Sequence, residues 1–152
     1  MDKGSPMELR FQVYAKIAKP LAAVFEAITE PDALSAYFTT GGASGPLRQG
    51  TTVIWKFGAM PGEYPVKVTK LIPNERIEFD WEANEKGYDT HVEMSFEAQD
   101  AGTTIVRIAE YGWRQDPKGL ESSYCNCYGW TQMLCCLKGY LEYNINLRQG
   151  FY

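Results

Sequence analysis

The sequence holds a single histidine, His91, and confines all four cysteines to one window, YCNCYGWTQMLCC, residues 124–136. It also lacks a basic excess. Fifteen Lys and Arg against nineteen Asp and Glu leave a formal net charge of −4, and the basic residues form no stripe, which argues against nucleic acid as a partner. No apolar run approaches the roughly 18 residues of a membrane span. The start, MDKGSPMELR, has no apolar signal-peptide core, so the expected location is the cytoplasm. Internal repeats and low-complexity segments are missing too. What remains is a chain of ordinary globular composition, 45% hydrophobic and 22% charged. A chain of this length buries about two thirds of its unfolded surface. Residues 1–7 read as a flexible tail, natural or a cloning remnant, and residues 8–152 as one domain.

Alternation and helical spacing divide that domain. ELRFQVYAKIA (8–18) alternates, with Leu9, Phe11, Val13, Ala15 and Ile17 on one side, as a half-buried strand does. Pro20 then opens a helix carrying Leu21, Val24, Phe25 and Ile28, and Pro31 separates it from a second short helix with Leu34, Tyr37 and Phe38. The Gly-rich TTGGASGPLRQG (39–50) lacks the Gly-Lys-Ser/Thr ending of a phosphate loop and runs into a strand, so it reads as a connection. Five alternating segments follow, at 51–57, 64–72, 76–83, 89–98 and 103–112, joined by turns suited to antiparallel hairpins. Each has one apolar face, so one side of the sheet is covered and the other meets water. From Leu120 to about Leu147 no proline occurs, and Cys127, Trp130, Leu134, Leu137, Leu141 and Ile145 step by three or four. The spacing predicts a long amphipathic helix across the apolar face, with Asp116-Pro117 as its start.

On that helix the cysteines diverge. With Leu134 at zero and about 100° per residue, Cys127 falls near 20°, Cys135 near 100°, and Cys125 and Cys136 near 180° and 200°. Four thiolates so arranged cannot converge on a zinc ion, and side chains that point apart cannot close a disulfide. We expect no metal site and four free thiols.

The covered face is rich in aromatics: Trp55, Phe57, Phe79, Trp81 and Phe96 on strands and Trp130 on the helix, with Met94 and Met133 as adaptable fillers. Such residues either pack together or line a pocket, and periodicity alone leaves both open. One polar residue breaks the pattern. Counting by twos from Val106 and Ile108 puts Glu110 on the inner face, where a carboxylate becomes a ligand-orienting or acid-base candidate if buried. His91 shares its side with Glu93 and Ser95, the outer face, and is expected to be solvated. With no inward histidine and no second inward carboxylate, no catalytic residue can be named.

The order strand, two short helices, five strands, long helix resembles the START-like helix-grip fold, an α+β architecture with about six strands wrapped around the C-terminal helix. Three segments resemble the family named for the activator of heat-shock-protein-90 ATPase. These are KPLAAVFEAITEPDALSAYF with Phe25, Tyr37 and Phe38; LIPNERIEFDWE with Pro73, Arg76, Ile77, Phe79 and Trp81; and YGWTQMLCCLKGYLE with Gly129, Trp130, Leu134, Leu137, Tyr140 and Leu141. The resemblance spans residues 8–143.

It implies a deep, mainly apolar cavity between sheet and helix. On the alternation above, the lining would be Trp55, Phe57, Val66, Val68, Phe79, Trp81, Met94, Phe96, Val106, Ile108 and Glu110 from the strands. Trp130, Met133, Leu134 and Leu137 would join them from the helix, with Phe38 and Trp113 at the entrance. The implied function is binding of a small hydrophobic or aromatic ligand, without a cofactor, by a monomer or homodimer. Two alternatives follow from the same resemblance. One is a co-chaperone that contacts the heat-shock protein and stimulates its ATPase, although the eukaryotic activator uses an additional N-terminal domain for that contact. The other is a cyclase or hydrolase acting on an aromatic, polyketide-type substrate through Glu110.

Overall fold

The computed structural model describes residues 7–152, so the expected tail lies outside the described residues except for exposed Met7. Strand β1 (Arg10–Ile17) is followed by helices α1 (Leu21–Thr29) and α2 (Pro31–Ser35). Strands β2 (Gly42–Ala43), β3 (Thr52–Phe57), β4 (Met60–Ile72), β5 (Arg76–Glu82), β6 (Asp89–Asp100) and β7 (Thr103–Tyr111) come next, and helix α3 (Pro117–Tyr143) closes the order. The strands form one antiparallel sheet in the order β1-β7-β6-β5-β4-β3-β2.

Seven strands stand where about six were expected. The additional one, β2, lies inside the Gly-rich connection and pairs Gly42 with Lys56 and Ala43 with Trp55. Glycine permits that approach, because a Cβ on Gly41 would sit 2.9 Å from the Lys56 Cβ. Strand β4 begins four residues earlier than its alternation suggests, since the turn needs only Gly58 and Ala59 and Phe57 already pairs with Met60.

Helix α3 starts where the sequence indicates. The Asp116 side chain accepts from the Gly119 N–H at 2.8 Å, and Pro117 occupies the first turn. It ends at Tyr143, four residues before the expected Leu147, because Asn144 adopts the left-handed conformation (φ 52°) and the Ile145 N–H returns to the Gly139 carbonyl at 3.2 Å. Ile145, expected on the apolar stripe, is thereby outside the helix and 48% exposed.

Residues 144–152 then fold back along α3. Leu147 approaches so near Gly139 that a Cβ there would lie 2.9 Å from Leu147 Cδ1. Farther along, Arg148 and the Tyr152 hydroxyl both bond Gln132. The structure corrects the helical wheel of the cysteines. Cys136, expected away from the apolar stripe, is buried, and Cys127, expected within it, is only half-buried; Cys125 and Cys135 are exposed, and all four are free. Cys136 belongs to the hydrophobic cluster, one turn before Tyr140, which stacks on Tyr37, so the wheel misses a second packed face of α3.

The inner faces of the strands and α3 meet in one hydrophobic cluster. Alternation placed these side chains well: Val53, Trp55, Phe57, Val66, Val68, Ile77, Phe79, Val92, Met94, Phe96, Val106 and Ile108 are all buried. The long helix and the end of α2 close the cluster from the other side, through Trp130, Met133, Leu134, Leu137, Leu34 and Tyr37.

Candidate functional site: a carboxylate cage and the cleft above it

Glu110 is fully buried, and four side chains from three elements enclose it. Trp130 Nε1 donates to Oε1 at 2.7 Å and Trp81 Nε1 donates to Oε2 at 3.0 Å. The Thr90 hydroxyl donates to Oε2 at 2.7 Å, and Asn126 Nδ2 reaches both oxygens, at 3.1 and 3.0 Å. The register explains the convergence. Glu110 faces Val92 across β6, Thr90 lies two residues back on the same face, and Thr90 pairs with Trp81 on β5. Asn126 and Trp130 are one helical turn apart on α3. Burial pushes the Glu110 carboxyl above its usual range, and the four donors pull against that rise.

The cage fixes a wall. The Trp81 and Trp130 rings stack with centroids 5.3 Å apart at 28°. Above them lies a cleft of about 270 Å3, between the β3–β4 hairpin, the end of β5, the first half of α3 and the returning tail. Phe38, Phe57, Met60 and Tyr64 line one side, Asn84, Asn126, Tyr128 and Gln132 another, and Arg148 and Tyr152 close it from the tail. Asn84 Nδ2 donates to Asn126 Oδ1 at 3.1 Å, so the hairpin after β5 is tied through Asn126 to the cage. A second depression of about 380 Å3 adjoins it and shares Tyr64, Trp81, Glu82 and Asn84.

Of the side chains named from sequence, Phe57, Trp81, Trp130 and Phe38 line this cleft. Glu110 lies behind the wall rather than in it, because its oxygens are already taken by donors. Trp55, Val66, Val68, Phe79, Met94 and Phe96 are packed core and do not line the cleft. The same holds for Val106, Ile108, Met133, Leu134 and Leu137. The space expected to be hollow between sheet and helix is filled there by aromatic rings in edge contact, Trp55 against Phe79 at 5.5 Å and Phe79 against Trp130 at 6.2 Å. Trp113, expected at the entrance, is instead buried and stacked on Phe11 at 5.6 Å, near the β1 edge.

Sequence reasoning missed Asn126, Thr90, Gln132, Arg148 and Tyr152. Two of them carried a signal: Asn126 precedes Trp130 by four residues, and Thr90 alternates with Val92. The tail residues carried none, since only the fold-back brings them to the cleft.

On the outer face, His91 is not the solvated side chain expected of it. It is 22% exposed, with Nδ1 2.6 Å from Asp80 and Nε2 2.9 Å from Glu78. Glu78, His91 and Glu93 place ligand-type atoms within 4.8 Å of one another. Arg76 already pairs with both carboxylates, at 2.6 and 3.0 Å, so the cluster is an ion-pair network.

The fold defines a START-like helix-grip domain, the class to which ligand-binding domains of this shape belong. The sequence profile described as Activator of Hsp90 ATPase homolog 1-like protein matches residues 18–142, and the chain belongs to that family. Among solved structures, a Staphylococcus saprophyticus protein is 26% identical over 91% of this chain and 96% of its own, with a TM-score of 0.74. The Aha1 dimer from Colwellia psychrerythraea is also 26% identical, over 88% of this chain and 96% of its own, with a TM-score of 0.73. The protein DynU16 of the dynemicin biosynthetic locus shares the fold at 22% identity and a TM-score of 0.77, over 91% of this chain and 49% of its own. No curated protein matches the sequence. Among the described residues no helix is long and apolar enough to cross a membrane.

Proposed function

We propose that the chain is a binding domain for a small hydrophobic or aromatic molecule that lies in the cleft against Trp81 and Trp130. The observation that carries this reading is the stacked tryptophan pair, held in place from behind by one carboxylate. An aromatic wall fixed before the ligand arrives leaves little side-chain freedom to be lost on binding. The remaining lining is mixed aromatic and polar, as small-molecule sites are. Native mass spectrometry of the protein purified from its own host tests the proposal. The expected result is a co-purifying small molecule, released when Trp81 is truncated. Failure of planar aromatic compounds to perturb tryptophan emission would overturn it.

The family description and the Colwellia Aha1 dimer support a second reading, a homodimeric co-chaperone that stimulates a heat-shock ATPase. Exposed Tyr124 and Tyr128 on α3 offer aromatic surface for such a contact. Light scattering and an ATPase assay with the chaperone test it directly. The cyclase or hydrolase reading relied on Glu110. With every oxygen of that group held by donors, the acid left in the lining is the exposed Glu82.

A further inference from the structure

Arg148 differs from the other residues of the cleft. It lies on the returning tail and is 8% exposed. Its guanidinium carbon sits 5.5 Å from the Phe38 ring, 5.3 Å from Phe57 and 5.8 Å from Tyr152. Nη1 donates to Gln132 Oε1 at 3.3 Å, while the buried Nε has no hydrogen-bond partner. Among the described residues, no carboxylate lies within ion-pair distance of it.

Gln132 shows the same imbalance. It is 7% exposed, its Oε1 accepts from both Arg148 and the Tyr152 hydroxyl, and its Nε2 has no partner. A buried cation without a carboxylate partner and a buried amide NH2 without an acceptor therefore line one cleft. Buried charges are ordinarily paired, and buried donors ordinarily bonded. The one acid in the lining, Glu82, is exposed and accepts from the Gly87 N–H of its own hairpin at 3.2 Å.

We infer that the ligand of this cleft carries an anionic oxygen group, met by Arg148 and Gln132, on an aromatic or hydrophobic body that lies against Trp81 and Trp130. The inference rests on the ligand-binding reading above and names the chemistry of its ligand. A guanidinium presents a planar fork of donors to oxygens, and the rings around it exclude water, which strengthens the attraction.

Two fluorescent probes with one skeleton separate the possibilities: 8-anilinonaphthalene-1-sulfonate, which is anionic, and N-phenyl-1-naphthylamine, which is neutral. Binding is read by energy transfer from tryptophan, in wild type, Arg148→Met and Arg148→Lys, with circular dichroism to confirm folding. The expected result is about a tenfold or greater preference of wild type for the anionic probe. Arg148→Met should abolish that preference and keep the neutral probe, whereas Arg148→Lys, which keeps the charge and is the milder change, should retain part of it. Equal affinities for the two probes in wild type would overturn the inference and leave aromatic binding standing. A parallel loss of both probes in Arg148→Met would overturn it too, making Arg148 a packing residue. Failure of both probes to bind wild type would remove the binding reading and this inference with it.

Discussion

Trp81 and Trp130 stack 5.3 Å apart while each donates its indole N–H to a different oxygen of the same buried carboxylate. One group thus sets the orientation of two rings that come from opposite layers of the fold, a strand and the long helix.

Replacing Glu110 by Gln should therefore disturb the wall rather than merely change its charge. An amide has one oxygen, so its NH2 must face at least one of the donors that now point at the carboxylate. The expected cost is about 1–3 kcal/mol of stability, the penalty for a buried donor without an acceptor. Chemical denaturation with matched slopes measures it. Stability equal to wild type would show that the cage is looser than these distances.

Trp81→Ala removes one ring and one donor together. The expected loss is about 3 kcal/mol, at the low end for a large aromatic because the ring is only half-buried. Denaturant unfolding checks this, and near-ultraviolet circular dichroism should lose signal from the stacked pair.

His91 gives a pH prediction with a defined sign. Burial disfavours its charge, but the hydrogen bonds to Asp80 and Glu78 of β5 outweigh that, and the pKa is raised. Glu93 of β6 and the Tyr111 ring of β7 complete its surroundings, with Arg76 holding the two glutamates. Its contribution to stability should be fully present below the unfolded value of about 6.5 and fade as pH rises through the higher folded value. As the only histidine, its ring protons can be followed by NMR without assignment, and the midpoint should lie above 6.5. The melting temperature of His91→Gln should fall furthest below wild type in acid and approach it in alkali.

The thiols should separate into classes under a sulfhydryl reagent without reductant. Cys125 and Cys135 should react in the native protein, Cys127 more slowly, and Cys136 only on unfolding, since it is buried and burial raises its pKa. Rapid native reaction at four sites would mean that Cys136 is not held in the hydrophobic cluster.

The strands and the long helix were legible because their signals are periodic and local. Alternation put Glu110 on the correct face, and Asp116-Pro117 marked the start of α3. The cleft was less legible, for two physical reasons. Packing decides whether aromatics on an inner face leave space, and Trp55 and Phe79 fill theirs. The end of α3 depends on Asn144 taking the left-handed conformation, and from that single residue follows the arrival of Arg148 at the cleft.

The cleft and the core also draw on largely different residues. Met60, Asn84, Tyr128 and Tyr152 face the cleft, are substantially exposed, and lie outside the hydrophobic cluster. Substitutions at such positions usually change stability by no more than about 0.5 kcal/mol. On the binding reading proposed above, the repertoire of molecules accepted can therefore drift between descendants of one gene while the tryptophan wall and its carboxylate stay as they are, so that a single scaffold diversifies at its rim.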